Sequence, residues 1–331
     1  MATLSEKVFD RIPREAGDRA SGYSKPMINI VMTRGDWAIL VVLALIWGAA
    51  FFFIHVAVAH VAPLTYVWLR LSIAAVGLLA WMRWKGEKLS LPLPVWGAIL
   101  LLALLNNVVP FALFGWAQQH IASGLASILN ATTPIWGVVV AHIATSDEKI
   151  TPAKLIGVVV GFVGVATMIG PDLLTSGESI VPQLACIAAS LCYALAGVWA
   201  RRFRPMGLKP LKVATAQLLV GALVMTPVSL TVAEPWIGGS PSLAALGAIT
   251  VLALACTALG YVLYFRLIDS AGATNATLVT LLVPPIAILL GALFLGELLN
   301  GTQFLGFAFT ALGLAVIDGR LIAAVRRKAF A

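Results

Sequence analysis

Apolar runs long enough to cross the hydrocarbon layer of a membrane follow one another along almost the whole chain. The pattern predicts ten helical spans, at roughly 37–59, 64–82, 95–117, 121–144, 152–170, 181–201, 211–232, 243–267, 271–294 and 301–319. Several connections are very short, so many neighbouring spans run antiparallel. No interval leaves room for a sizeable soluble domain. The fold class predicted is an all-α polytopic membrane protein. Polar tails flank the spans at residues 1–36 and 320–331. The first tail does not resemble a signal peptide, so the first span is expected to remain as an uncleaved anchor.

The polar positions that interrupt these runs carry more information than the apolar ones. The stretch 106–136, NNVVPFALFGWAQQHIASGLASILNATTPIW, holds Asn106, Asn107, Gln118, Gln119 and Asn130, together with Pro110 and Pro134. A proline at position i removes the N–H that would bond the carbonyl at i−4. Pro110 thereby frees the carbonyl of Asn106, Pro134 that of Asn130, and Pro284 that of Thr280. Unpaired backbone groups persist at membrane depth only inside protein or beside a wet cavity. Spans 3, 4 and 9 are therefore expected to surround a central polar cavity, with Pro110, Pro134 and Pro284 as hinges.

Shifting the sequence by 150 residues places GAILLLAL (97–104) on GAITVLAL (247–254), with six of eight identical. The same shift places Ser127, Asn130 and Pro134 on Thr277, Thr280 and Pro284. With a shift of 149, Glu148, Gly157 and Gly164 fall on Glu297, Gly306 and Gly313. Two copies of a five-span unit are predicted, residues 37–170 and 171–319. Because five is odd, the second copy crosses the membrane inverted. Inverted repeats mark secondary transporters, whose sites lie between the repeats near the midplane.

On span 3, Asn107, Phe111 and Phe114 share one stripe at i, i+4, i+7 spacing. Their repeat partners on span 8 are Thr257, Tyr261 and Tyr264. Two stripes running from polar to aromatic suit a small ligand with polar and apolar parts. Trp47 and Tyr193, near the centres of spans 1 and 6, are further candidate lining residues. Asn, Ser and Thr also bond helices to one another in membranes, and aromatic stripes also build cores. Gly157, Gly161, Gly164, Gly306 and Gly313 read as close helix packing rather than as site.

Composition agrees with the spans: 60% of residues are hydrophobic and 11% charged, with a mean hydropathy of +0.98. The net charge of +8 would suggest nucleic acid in a soluble protein. Here the loops explain it. With the N-terminus in the cytoplasm, every Lys and Arg of the 22 except Arg70 falls on the cytoplasmic side. That split supports an even span count with both termini inside. Trp37, Trp81, Trp84, Trp96 and Trp236 lie near span ends, as in an interfacial aromatic belt.

The remaining chemistry is sparse. No carboxylate lies near the centre of a span; Asp36, Asp269, Glu297 and Asp318 sit at predicted ends. Proton coupling through a buried acid is therefore not supported. Arg70, the one charge well inside a span, is expected to snorkel or to pair with backbone carbonyls. There is no phosphate-loop motif. His55, His60, His120 and His142 show no metal-ligand spacing, and Cys186, Cys192 and Cys256 no paired spacing. Ser123 reads as a helix N-cap. No cofactor or metal is expected.

At this point the residues resemble a known family. Trp47-Gly48 and Leu69-Arg70, within LIWGAAFFFIHVAVAHVAPLTYVWLRLSIAA (45–75), are similar to the opening of the EamA-type repeat of the drug/metabolite transporter superfamily. Residues 106–136 look like its helices 3 and 4, with Thr-Pro at Thr133-Pro134, which adds Thr133 to the candidates. LGELL (295–299) looks like the end of its helix 9; the first repeat departs with Asp147-Glu148. The resemblance covers about residues 37–320 and implies a ten-helix carrier of the bacterial inner membrane. Such carriers are often exporters of amino acids or other small metabolites, and the layout is similar to YddG-type amino-acid exporters.

The reading is a secondary transporter exporting amino acids, aromatic or otherwise apolar-bearing, or related metabolites. The two halves would rock about the hinges in alternating access, with the substrate between spans 3 and 8. The expected partners are a small-molecule substrate and the lipid bilayer, not nucleic acid. One chain holds both repeats, so a functional monomer is expected. The alternatives are a broader efflux carrier for drugs or toxic cations and an intramembrane enzyme, for which no catalytic constellation is present.

Overall fold

The computed structural model describes residues 32–318 except 146–149, 176–179, 233, 238, 241, 272 and 277. The expectation for Glu148 lies outside these residues, as do those for Thr277, the C-terminal tail and the first tail up to residue 31. Among the described residues ten helices follow in order. They are α1 (Arg34–Val58), α2 (Pro63–Trp84), α3 (Val95–Ala117), α4 (Ser123–Ala144) and α5 (Pro152–Thr175). The second set is α6 (Val181–Ala200), α7 (Pro210–Leu230), α8 (Leu243–Ala271), α9 (Ala273–Ala276, Val279–Leu290 and Gly291–Leu295) and α10 (Gly301–Asp318). Among the described residues there is no β-strand, only an isolated bridge between Val61 and Trp236. Among the described residues seven helices are long and apolar enough to cross a membrane, and Pro152–Thr167, Leu282–Leu295 and Gly301–Ile317 are shorter apolar stretches. The protein is an all-helical membrane protein of two inverted five-helix repeats.

Local chemistry sets the helix ends. Thr33 and Asp36 form a reciprocal capping box at the start of α1: Asp36 N donates to Thr33 Oγ1 at 3.2 Å, and Thr33 N donates to Asp36 Oδ2 at 2.9 Å. Pro63, Pro182 and Pro210 occupy first-turn positions of α2, α6 and α7, where a missing N–H costs nothing. Gly296, at φ 67°, stops α9 in the left-handed conformation that glycine adopts freely.

The helices are not regular throughout. A wide, π-type turn spans Leu104–Val108 in α3, a second spans Leu252–Leu259 in α8, and a third closes α9 at Gly291–Leu295. α4 breaks at Ala131–Thr132 into Ser123–Asn130 and Thr133–Ala144, with Pro134 in the first turn of the second piece. Pro284 and Pro285 lie inside α9.

Polar and apolar contacts cross between the repeats. α5 packs on α10 backbone to backbone: a Cβ at Gly157 would lie 2.7 Å from the Gly313 carbonyl, and one at Gly164 2.6 Å from that of Gly306. These glycines permit the close approach on which helix association in lipid depends. At one end, Lys209 Nζ meets Glu87 Oε1 at 2.8 Å, joining the loops after α2 and α6.

Candidate functional site

The wide turn in α8 releases carbonyls that a regular helix would use. The Gly260 N–H bonds the carbonyls of Ala255 and Thr257 and skips that of Cys256. Trp47 from α1 takes it, Nε1 to O at 3.1 Å. Gly260 also makes the room, since a Cβ there would stand 2.6 Å from Trp47 Nε1. The Thr257 hydroxyl donates to the displaced Leu252 carbonyl at 2.8 Å. The same oxygen accepts from Arg70 Nε at 3.0 Å.

Arg70 thus lies well inside its span, as expected, but with other partners than expected. It neither snorkels nor bonds a backbone carbonyl among the described residues. It lies two helical turns inside α2, 6% exposed. NH1 donates to Tyr66 Oη at 2.7 Å, and the guanidinium stands 3.7 Å over the Phe111 ring. A charge at helix centre costs about 2.5–3.5 kcal/mol to insert. Two hydrogen bonds to a charged group contribute about 1.5–3 kcal/mol each, and a desolvated cation–π contact about 2 kcal/mol. Those contacts offset the cost but leave the charge in place. No carboxylate comes within ion-pair distance of Arg70 among the described residues.

One turn along from Phe111 and Thr257, the two walls meet again. Asn106 Nδ2 donates to Tyr261 Oη at 3.0 Å and to Gln217 Oε1 at 3.1 Å. Tyr261 Oη donates to Asn107 Oδ1 at 2.9 Å. A phenol has one proton, so accepting from Asn106 and donating to Asn107 fixes the orientation of the Asn107 amide. Its Nδ2 is then buried without a partner. α3 and α8 close directly on each other at this level, and Asn107 is fully buried.

The aromatic positions diverge from the stripes read in sequence. Tyr264 packs on Trp47, with centroids 5.2 Å apart, and Phe114 stacks on Tyr193 at 6.2 Å. Phe51 of α1 meets Phe114 edge-on at 5.7 Å. Trp47 and Tyr264 thus pair α1 with α8, while Phe51, Phe114 and Tyr193 join α1, α3 and α6.

Asn130, Thr133 and Thr280 belong to the broken helices. The Asn130 carbonyl, freed by Pro134, accepts from Thr133 Oγ1 at 2.7 Å. Leu129's carbonyl accepts from Thr132 Oγ1 at 2.6 Å and from Ser190 Oγ of α6 at 3.1 Å. Hydroxyls therefore answer the carbonyls of this break, while Asn130 Oδ1 stays buried with no donor. In α3 the wide turn at Leu104–Val108 leads into Pro110, with Val109 N bonding Leu104 O. In α9, Pro284 withdraws the N–H that an α-helix would aim at the carbonyl of Thr280, which is half-buried.

A second polar cluster joins α4 to the end of α9. Ser123 is no N-cap: it is the first helical residue, and its helix end is held by Glu297. The carboxylate accepts from Ser123 N at 2.8 Å, Ser123 Oγ at 2.7 Å and Gly124 N at 3.2 Å. A carboxylate at a helix N-terminus satisfies orphan N–H groups and opposes the helix dipole. His55 Nδ1 lies 3.8 Å from Glu297 Oε1. Gly291 admits this contact, because a Cβ there would fall against Glu297 Oε2.

Sequence reasoning missed Arg70, Tyr66, Gln217 and Gly260 as members of this network. A signal existed for the first two: Tyr66 stands one turn before Arg70, and a charge deep in a span marks a site by default.

The sequence profile of the EamA-like transporter family matches residues 34–170 and again residues 181–318. YoaV, an uncharacterized transporter of Bacillus subtilis, is 24% identical over 277 residues, covering 83% of this chain and 94% of YoaV. YedA, an uncharacterized inner membrane transporter of Escherichia coli, is 25% identical over 287 residues, covering 84% of this chain and 89% of YedA. A solved crystal structure superposes with a TM-score of 0.62 over 88% of this chain and 99% of its own, at 18% identity, a likeness of fold. With both halves matched, the chain belongs to the EamA-like transporter family.

Proposed function

We propose that this transporter is a secondary carrier exporting amino acids, chiefly those with apolar or aromatic side chains. In this reading the two repeats rock in alternating access, with α4 and α9 bending at Pro134 and Pro284. The carrier lies in the bacterial inner membrane with both termini in the cytoplasm, as its loop charges favour, and works as a monomer. The supporting observation is the set of aromatic contacts joining α1, α3, α6 and α8, with two buried, unmatched amide atoms: Asn107 Nδ2 on the same stretch of α3 and Asn130 Oδ1 at the break in α4. An amino acid brings an acceptor, a donor and an apolar side chain to such a place.

The test is efflux from proteoliposomes preloaded with a panel of labelled amino acids, with and without a pH gradient. Gradient-independent efflux that differs between side chains supports the reading. Asn107→Ala and Tyr261→Ala are expected to lower it at equal protein level. Parent-like efflux in both variants would place the site elsewhere. Efflux of no amino acid under either condition would refute the substrate assignment.

A further inference from the structure

The seam between α2, α3 and α8 is oversupplied with donors. A guanidinium carries five N–H groups. Nε is engaged by Thr257 and NH1 by Tyr66, while NH2 has no hydrogen-bond partner among the described residues. Asn107 Nδ2 is likewise unmatched. Asn107 stands one turn from Phe111, over which the guanidinium lies, and Tyr261 stands one turn from Thr257. The two spare donors therefore share one neighbourhood, about one helical turn apart.

What would complete this neighbourhood is an acceptor, and the uncompensated charge asks for a negative one. One cation matches a monoanion; a phosphate dianion would leave excess negative charge in a low-dielectric place. A planar guanidinium also suits the two oxygens of a carboxylate. We propose that Arg70, with Asn107 beside it, binds the carboxylate of the transported molecule, so that the protein selects monocarboxylates and zwitterions over amines and neutral amides. This rests on the transport reading above but not on the substrate being an amino acid. A cationic drug would meet Arg70 as a like charge.

The experiment measures binding to the purified protein by tryptophan fluorescence, followed by efflux, for four probes. These are phenylalanine, phenylalaninamide, phenethylamine and 3-phenylpropionate. The parent is expected to bind the two carboxylates at least tenfold more tightly than the amide or amine. Arg70→Gln is expected to erase that preference by weakening the acids, and Arg70→Lys to retain part of it, which loss of a structural contact alone would not do. Should Arg70→Gln fail to fold, the acid-to-amide ratio of the parent and of Arg70→Lys decides. Equal binding of phenylalanine and its amide by the parent overturns the proposal even if amino acids are exported. So does a well-folded Arg70→Gln protein that keeps the preference. Binding and efflux of 3-phenylpropionate but not phenylalanine would support the carboxylate site and refute the amino-acid reading. Binding of none of the probes refutes both.

Discussion

Glu297 offers the sharpest perturbation. Replacing it with alanine removes one acceptor from three donors at the start of α4 and a negative charge from a helix N-terminus. Ser123 is fully buried, so no water stands ready to replace the carboxylate. Loss of a cap costs about 1 kcal/mol. Loss of a favourable charge in a partly buried geometry costs up to about 2 kcal/mol. The closed contact between α4 and the end of α9 should thus weaken by about 2–3 kcal/mol, raising the open population about 30- to 150-fold. In the proposed orientation this contact faces away from the cytoplasm. A cysteine at Leu125, 5% exposed in the first piece of α4, would report opening. The background would have Cys186, Cys192 and Cys256 replaced, and an impermeant maleimide would be applied from outside. Labelling should accelerate at least tenfold in Glu297→Ala, and less in Glu297→Gln, which keeps one acceptor oxygen. A rate within twofold of the parent would show that the carboxylate does not hold this end shut.

Tyr261→Phe removes the hydroxyl that bridges Asn106 and Asn107 while keeping the ring; it should cost about 1–3 kcal/mol and slow efflux, read by thermal melting and by the proteoliposome assay. Gly164→Ala drives a Cβ into the backbone of Gly306 and Thr310, whereas a Cβ at Gly137 meets nothing within 4 Å; the first should lower the melting temperature by several degrees and the second should not. The Lys209 ammonium beside Glu87 holds its carboxyl below the ordinary glutamate value of 4.5. A lowered carboxylate contributes stability above the ordinary value and loses it as pH falls through the lowered one. Any melting difference between parent and Glu87→Gln should therefore be present at neutral pH, shrink with salt, begin to fall only below pH 4.5 and vanish once pH has dropped past the lowered value.

The spans were legible because lipid imposes length and apolarity, and the repeat because matched Pro and Gly positions survive the shift. Pro134 announced the break in α4, though not that Thr133 and Thr132 would answer its carbonyls. Composition concealed the wide turns: one extra residue in an apolar helix changes hydrogen-bond partners without changing hydropathy. Along the stripe from Asn107 to Phe114, Asn107 meets Tyr261, Phe111 lies under Arg70, and Phe114 meets Tyr193 and Phe51. Its expected opposition to Tyr264 is not met, because Trp47 from α1 occupies that ring's face. Arg70 was misread through reach. It stands about 10 Å along the axis from the nearer helix end, farther than a guanidinium readily extends. Glu297 and Ser123 are 174 positions apart, and only the closure of one repeat on the other brings them together.

The wide turns also carry the internal symmetry into the backbone. Under the shift of 150 that superposes the repeats, Leu104–Val108 falls on 254–258, inside the turn at Leu252–Leu259. The same irregularity therefore recurs at the corresponding place in both halves. The two copies differ around it: Pro110 stiffens the next helical turn in one, while its counterpart Gly260 opens a berth for Trp47 in the other. The asymmetry between the halves thus sits upon a shared irregularity, and deleting one residue from either turn would return its displaced carbonyls to regular helical partners.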